Sequence, residues 1–432
     1  MTQTVSQTPE SSPAPEEAPP PPARSGPFLR FLQWVASANT VTVTVLAVVL
    51  ALLVGAVLIV LGNEQVTAEY GYFFATPGTV LADSWRLVAD AYTNLFEGAI
   101  VDPSAVSGAI DGTNSWTRIF APISATLIYT APLAFTGLAV ALAFRSGLFN
   151  IGAQGAVVMG AIGGGLVGFE VSLPPVLHLI AALLGAVIGG ALWSSIAGIL
   201  KARTGAHEVI VTIMLNYVAL YFLQWIITQK GVHDPTRSDA ISKKVAGNAR
   251  LPLAGTGDLR IDLGIVLALL ATVGVAWLLT RSTLGFALRA VGANPAAART
   301  AGMSVGRTYV LAMVLSGALA GLGGGLLVMG TAQVGASFAL TGQVGGTIGF
   351  DGITVALLGR AKPWGVFVSA LLFGALHAGG NHLQVASHIS IDLVTVIQAV
   401  IVIFVAAPAL VRAIFRLRAS RSAGGASLAR GW

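Results

Sequence analysis

VTVTVLAVVLALLVGAVLIVL, Val41 to Leu61, is a run of twenty-one residues with no charge and no proline. At 1.5 Å per residue such a helix is about 30 Å long, the thickness of a bilayer's hydrocarbon core. Comparable windows recur near residues 120–143, 148–169, 176–200, 208–228, 262–280, 308–330, 338–359, 365–381 and 391–411. Only 10% of the 432 residues are charged and 55% are apolar, too few charges to clothe a water-soluble surface, where about 25% is usual. Backbone groups in hydrocarbon must be satisfied within the protein, which leaves helices or a closed barrel. Barrel strands alternate apolar and polar residues, whereas these runs are continuous. The expected fold is therefore all-α, a polytopic transmembrane bundle of about ten spans. Its 52 glycines suit helices that approach one another closely in a membrane.

The first apolar run is too long and too deep in the chain for a cleaved signal peptide and reads as a retained anchor. Ahead of it, residues 1–30 carry Ser, Thr, Glu and the run PAPEEAPPPP. Such a segment has nothing to bury, so it is expected to be a disordered cytoplasmic tail. Residues 31–417 are assigned to the membrane domain and 418–432 to a second cytoplasmic tail. Absence of cysteine excludes disulfides and thiolate metal sites.

The net charge of +6 is explained by topology rather than by nucleic acid. With both termini cytoplasmic, the inner segments collect sixteen Lys and Arg, including Arg24, Arg30, Arg145, Lys201, Arg281 and Arg360. The outer loops hold eight, from Arg86 to Arg260. That asymmetry is the one a positive-inside protein with an even number of spans shows. The stretch 62–117, read as an outer loop, is acidic through Glu64, Glu69, Asp83, Asp90, Glu97, Asp102 and Asp111.

None of the five lysines follows a glycine, so the phosphate-cradling G-x-x-x-x-G-K-[ST] loop is missing. Any coupling to ATP has to come from a partner subunit. The segment from Arg281 to Arg307 supplies a handle for one. Asn294 reads as an N-cap with Pro295 at the first helical position, AAARTA favours helix, and Gly302 suits a stop. A short helix between two spans is expected here, either a membrane-surface linker or a docking element.

FRSGLFNIGAQG, Phe144 to Gly155, closely resembles the F-x-x-G-L-x-N-I-G-x-E-G-Q block of bacterial ABC-transporter permeases for simple sugars and nucleosides. GANPAAARTAGMSV is similar to that family's cytoplasmic loop, GFDGITVALLGRAKPWG (Gly349 to Gly365) to its third block, and HEVIVTIMLNYVA (His207 to Ala219) to the nucleoside-type branch. The resemblance implies a non-enzymatic transport subunit of an importer in the bacterial inner membrane, taking up a nucleoside or related simple sugar. It also implies an identical or homologous second permease, an extracytoplasmic binding protein or lipoprotein, and a cytoplasmic ATPase that binds the ATP and Mg. This chain itself would carry no cofactor. The coupling loop would use Arg289, Gly292, Asn294, Pro295, Ala298, Arg299 and Gly302. Where the family has Glu then Gly-Gln, this chain has Gln154, Gly155 and Ala156, so no role needing charge at position 154 carries over. The alternative class is an ion-coupled carrier working without an ATPase.

Transporters often bind substrate where glycine-broken spans free backbone groups near the midplane. Gly152 to Gly155 and Gly349 to Gly352 interrupt the third and eighth apolar runs, and could mark two structural repeats or simply close helix packing. Asp351 and Asn150 are read as helix N-caps or as substrate contacts. A neutral solute needs hydroxyl-directed hydrogen bonds and aromatic faces, which marks Asn216, Tyr217, Gln224, Trp225, Tyr129 and Gln398 within the spans. With the two glycine-broken segments added, the pathway candidates are Asn150, Gln154, Asn216, Tyr217, Trp225, Phe350, Asp351 and Gln398. His377, Asn381, His382, His388 and Asp392 fall at spacings that fit no regular helical ligand pair, so no metal site is assigned. A polar rim or partner contact is expected there.

Overall fold

The computed structural model describes residues 40–113, 115–254, 259, 261–332, 338–387, 391–406, 411, 414 and 415. The expected tails 1–30 and 418–432, His388, and residues 407–410 of the last apolar run lie outside the described residues. The chain is helical almost throughout. Helix α1, Thr40–Leu61, turns through 76° into α2, Glu64–Glu69. Then come α3 Pro77–Ala99, α4 Pro103–Ile110 and α5 Trp116–Ile119. The central helices are α6 Ala121–Arg145, α7 Ala153–Glu170, α8 Pro175–Thr204 and α9 Glu208–Ile226. A loop with a two-residue antiparallel ladder, β1 Leu253–Ala254 on β2 Ile261–Asp262, leads to α10, Gly264–Arg281. The short α11 Thr283–Ala293 and α12 Pro295–Thr300 precede α13 Val305–Met329. The chain closes with α14 Ile348–Leu358, α15 Pro363–Ser387 and α16 Ile391–Ala406.

Among the described residues seven helices are long and apolar enough to cross a bilayer, and the bent α1–α2 pair makes an eighth. Two of the ten expected spans take other forms. The stretch 338–359 is no continuous helix: the chain is irregular from Phe338 to Thr347, and only α14 is helical. Gly345 and Gly346 there hold φ of 89° and 41°, a left-handed backbone that ends helix propagation. At 11 residues, α14 covers about 16 Å, half the hydrocarbon. The last run has an 16-residue helix, α16, among described residues. The expected outer loop at 62–117 is instead mostly helical. Its α3 buries Val80, Ser84, Ala91, Gly98 and Ala99 while its other faces keep charge, so it is amphipathic rather than apolar all round. A Cβ on Gly98 would strike His382 of α15, which is how closely the two helices pass.

The core is a three-helix seam of α7, α8 and α13 built on glycine. Gly160 lies against the backbone of Gly321, Gly190 against Gly317, Gly163 against Gly185, and Gly324 against the carbonyl of Val157; a methyl at any of them would overlap main-chain atoms. Lipid tails are as apolar as Leu, so such helices are held by close van der Waals contact rather than by expulsion of water. Around the seam, α6 buries nearly every residue from Thr130 to Ala143. The loop segment around Asn248 packs on one end through His178, whose Nδ1 and Nε2 lie 2.9 and 3.0 Å from Asn248 Oδ1 and Val167 O.

The other end of the bundle is basic. Lys201 Nζ meets Glu208 Oε2 at 2.8 Å, closing the α8–α9 hairpin, and Arg145 Nε donates to Ala361 O at 3.0 Å. The second contact holds the end of α6 against the 359–362 turn.

Replacing Gly324 by Val is expected to destabilise the detergent-solubilised protein by about 1–3 kcal/mol through overpacking. It should appear as a lowered melting midpoint and loss of the monodisperse peak. Gly274→Ala, where a Cβ meets nothing within 4 Å, should leave both unchanged.

Candidate functional site

Two irregular segments enter the bundle and meet inside it. The first, 146–152, leaves α6 at the basic face, turns at Gly147 (φ 73°) and runs inward to α7. The second, 338–347, leads into α14. Because α14 ends beside the basic face and is about 16 Å long, its first turn lies near mid-bundle.

Breaks in hydrocarbon leave backbone groups that must find partners, and three amides supply them. Asn150 Nδ2 donates to Ser316 Oγ at 2.9 Å, its Oδ1 accepts from Gly152 N at 2.8 Å, and Ser316 Oγ passes on a 2.7 Å bond to Ala139 O. Ser316 is midway along α13. Asn216 of α9 spans the first turn of α7, accepting from Gly155 N at 2.8 Å and donating to Ile151 O at 3.0 Å. Gln154 joins the two breaks: its Nε2 donates to Gly346 O and its Oε1 accepts from Gly349 N, both at 2.8 Å. A neutral amide is the side chain that can do both, since a carboxylate has no donor.

This geometry corrects two sequence expectations. Asn150 is not the N-cap of α7; Gly152 occupies that position and Asn150 closes the turn before it. Asp351 is not an N-cap either. Thr347 precedes α14, and Asp351 sits in its first turn, accepting from Thr347 Oγ1 at 3.0 Å, where the helix dipole favours an acid. Neither glycine pair interrupts a helix midway: Gly152 to Gly155 start α7, and Gly349 to Gly352 are the first turn of α14.

Two cavities flank the junction. One, of about 380 Å³, is lined by Gln154, Asn216, Tyr217, Gln343, Gly346 and Phe350, with Ile151, Val158, Ile213 and Leu220 as its apolar wall. The other, of about 240 Å³, is lined by Tyr129, Gln343, Gly346, Thr347, Asp351 and His377. A larger cavity of about 590 Å³ between α1, α2 and α3 is walled mainly by Val57, Val60, Leu81, Trp85 and Val88, away from these polar groups.

Six of the eight pathway candidates thus converge, counting Asn150 behind the junction. Trp225 does not. It stands two turns beyond Tyr217 on the exposed face of α9, with its ring 5.5 Å from that of Phe222. Gln398 lines neither cavity; it is buried in α16 and its Nε2 has no hydrogen-bond partner among the described residues. Sequence reasoning missed Ser316 and Gln343, neither of which stands out in an apolar or irregular stretch. Nor did it pair His377 with Asp351, 3.7 Å apart but on different helices. Among the described residues no three His, Cys, Asp or Glu side chains gather as a metal site.

At the basic face α12 has the expected caps. Asn294 Oδ1 accepts from Ala296 N at 3.0 Å and Ala297 N at 3.1 Å, and Gly302 follows with φ 83°. The additional helix α11 is capped by Ser282, which accepts from Gly285 N at 2.8 Å. Asn294, Pro295, Arg299 and Gly302 are exposed, as is Arg289. Two members of the expected coupling set face inward instead. Ala298 is buried against Val291 and Val305, and Gly292 packs on the backbone of Arg145, Ser146 and Gly147.

Comparison with known proteins gives this arrangement a family. Residues 123–406 match the family described as branched-chain amino acid transport system / permease component. The chain is 40% identical over 301 residues to the guanosine ABC transporter permease protein NupP of Bacillus subtilis, covering 69% of this chain and 85% of that one. It is 38% identical to the nucleoside ABC transporter permease protein NupB of Lactococcus lactis (66% and 79% covered) and 36% identical to the glucose ABC transporter permease protein TsgB13 of Haloferax volcanii (65% and 75%). In both bacteria a second, less similar guanosine or nucleoside permease also matches. No solved structure matches. The chain belongs to this family of permease components.

Gln154 is where the junction is most exposed to a single change. Gln154→Ala removes two hydrogen bonds, each worth about 0.5–1.5 kcal/mol net. Gln154→Glu keeps the acceptor for Gly349 N but sets a carboxylate against Gly346 O. Both variants are expected to speed amide exchange at Gly349 and its neighbours by roughly tenfold per 1.4 kcal/mol lost, read by hydrogen–deuterium exchange, with Glu no better than Ala. Exchange as slow as wild type in Gln154→Glu would refute the donor role of Nε2.

Proposed function

We propose that this permease is the membrane subunit of an ATP-driven importer that carries a nucleoside or a related simple sugar. The observation that carries the reading is the junction itself. Two broken segments meet near mid-bundle and present Gln154, Asn216, Tyr217 and Phe350 to one cavity, a set of neutral amides and aromatic faces suited to an uncharged polar solute. The printed names of its relatives, a guanosine, a nucleoside and a glucose permease, fall within that chemistry. The ion-coupled alternative draws no support from them.

In this reading the basic face is cytoplasmic, in accord with the positive-inside rule, both terminal tails lie on that side, and the membrane is the bacterial inner membrane. The exposed surface of α11 and α12 then meets a separate ATPase, which binds ATP and Mg. Asn294, Pro295, Arg299 and Arg289 form the contact. Gly292 and Ala298 act from behind, by holding the two short helices against Gly147, Val291 and Val305. A second permease, the same or homologous, packs beside this one. The exposed α9 face bearing Tyr217 and Trp225 contributes to the pathway between them, and an extracytoplasmic binding protein or lipoprotein delivers the solute. Gln398, buried in α16 and outside both cavities, is assigned no contact with the solute. No bond is made or broken in this chain; ATP-driven closure of the ATPase moves α11 and α12, and the junction opens alternately to each side.

The test is uptake into proteoliposomes holding this chain, the second permease, the ATPase and the binding protein. Guanosine or uridine should accumulate with ATP inside and no ion gradient. Uptake by this chain alone, driven by an imposed sodium or proton gradient, would overturn the proposal. Asn294→Ala, which costs the α12 cap about 1 kcal/mol, should lower ATP-driven uptake several-fold at unchanged protein level.

A further inference from the structure

The second cavity, on the far side of Gln343 and Gly346 from the amide-lined one, differs from it in chemistry. Its acid is Asp351 and its base His377, with Gln343 and Thr347 at the edge and the ring of Tyr129 as a wall. These groups are held by one another. Thr347 Oγ1 donates to Asp351 Oδ2 at 3.0 Å, and His377 Nε2 stands 3.7 Å from the same oxygen. That is too long for a hydrogen bond, and among the described residues this buried nitrogen has no hydrogen-bond partner. The His377 ring lies over that of Tyr129, centroids 6.0 Å apart at 25°, and Tyr129 is fixed in turn by Asn381 Nδ2, which donates to its hydroxyl at 2.9 Å.

A carboxylate inside an apolar bundle is costly, by about 2.5–3.5 kcal/mol on insertion scales, and the side-chain hydrogen bond that Asp351 accepts among the described residues comes from Thr347 Oγ1 rather than from the backbone of α14. Thr347 and His377 converge on a single oxygen, while a carboxylate offers about four acceptor sites. The remaining sites are open to hydrogen-bond donors in the cavity that Asp351 lines. A ligand matching them brings hydroxyl donors and no negative charge, and two adjacent hydroxyls can be received by the two oxygens of one carboxylate. Gln343 adds one acceptor and one amide donor, and the face of Tyr129 suits the apolar side of a sugar ring.

We infer that this cavity is a subsite for the vicinal diol of a ribosyl or glycosyl group, with Asp351 as hydrogen-bond acceptor and His377 as its positioning residue. The inference rests on the importer reading above. It divides the solute between the two cavities: the planar base lies against Tyr217 and Phe350, and the sugar reaches past Gly346 to Asp351. A solute without a base, such as a hexose, would need only the second.

The experiment compares ATP-driven uptake of uridine with that of 2′,3′-dideoxyuridine in the full reconstituted complex. The same binding protein is used in every arm at saturating solute, so that a change in the ratio belongs to this chain. Wild type should favour uridine by at least about tenfold, the discrimination expected when a buried acceptor loses its hydroxyl partner. Asp351→Asn, at a residue that lines only the second cavity, should lower uridine uptake several-fold while moving dideoxyuridine uptake less than about twofold, collapsing the ratio. His377→Gln should shift the ratio in the same direction by less. An equal fall for both compounds, or an unchanged ratio, would overturn the assignment while leaving the importer reading in place. Absence of ATP-driven uptake of either compound by wild type would overturn both. Should Asp351→Asn fail to reach the membrane, His377→Gln, at a residue that lines only the second cavity, decides by the same ratio.

Discussion

A helix broken inside hydrocarbon leaves N–H and C=O groups with no water to bind, and each such group costs several kcal/mol unless protein supplies a partner. The inner half of this structure answers that constraint. The turn at 146–152 is carried by Asn150 and Asn216, and the start of α14 by Gln154. Each amide both donates and accepts, so one side chain satisfies two groups at once, and the backbone can be irregular without being unpaired. Two of these amides, Gln154 and Asn216, then line a cavity. Polar side chains that make the breaks tolerable are the ones a solute would meet, which is why a defect in secondary structure and a binding surface coincide here.

Rigidity around the junction comes from elsewhere. The glycine seam of α7, α8 and α13 lets three helices approach to backbone contact, and close packing of that kind has few intermediate positions. Gly292 against Gly147 repeats the device at the basic face. It ties α11 to the segment that carries Asn150, so a displacement of α11 is felt by the inward turn without passing through a flexible side chain. The short helices, the turn and the first residues of α7 are thereby mechanically adjacent, although 145 positions of sequence separate Gly147 from Gly292.

Much of this was legible in the residues. Continuous apolar runs marked most of the long helices to within a few positions. Asn294-Pro295 announced α12, and the alternation of glycine with Gln154 and Asp351 pointed at both breaks. What failed did so for identifiable reasons. The stretch 338–359 is apolar enough to span, but hydropathy does not register that Gly345 and Gly346 hold left-handed backbone. The helix α3 was hidden by its charges, because an amphipathic helix in contact with α15 buries only one face. Trp225 shares composition with Tyr217 yet lies two turns away from the cavity, and Ala298 and Gly292 sit in an exposed-looking loop yet turn inward.

Solvent chemistry explains the division. A residue's preference for hydrocarbon or water is a property of the residue, so the sequence alone determined that this chain is a helical membrane protein, where its apolar helices run, and that it lacks a phosphate-binding loop of its own. Hydrogen-bond partnership is a property of pairs. That Gln154 clasps Gly346 and Gly349, that Asn216 spans the turn into α7, and that His377 faces Asp351 depend on distances of about 3 to 4 Å between groups far apart in the chain. Only the tertiary structure decided those, and with them where a solute could be held.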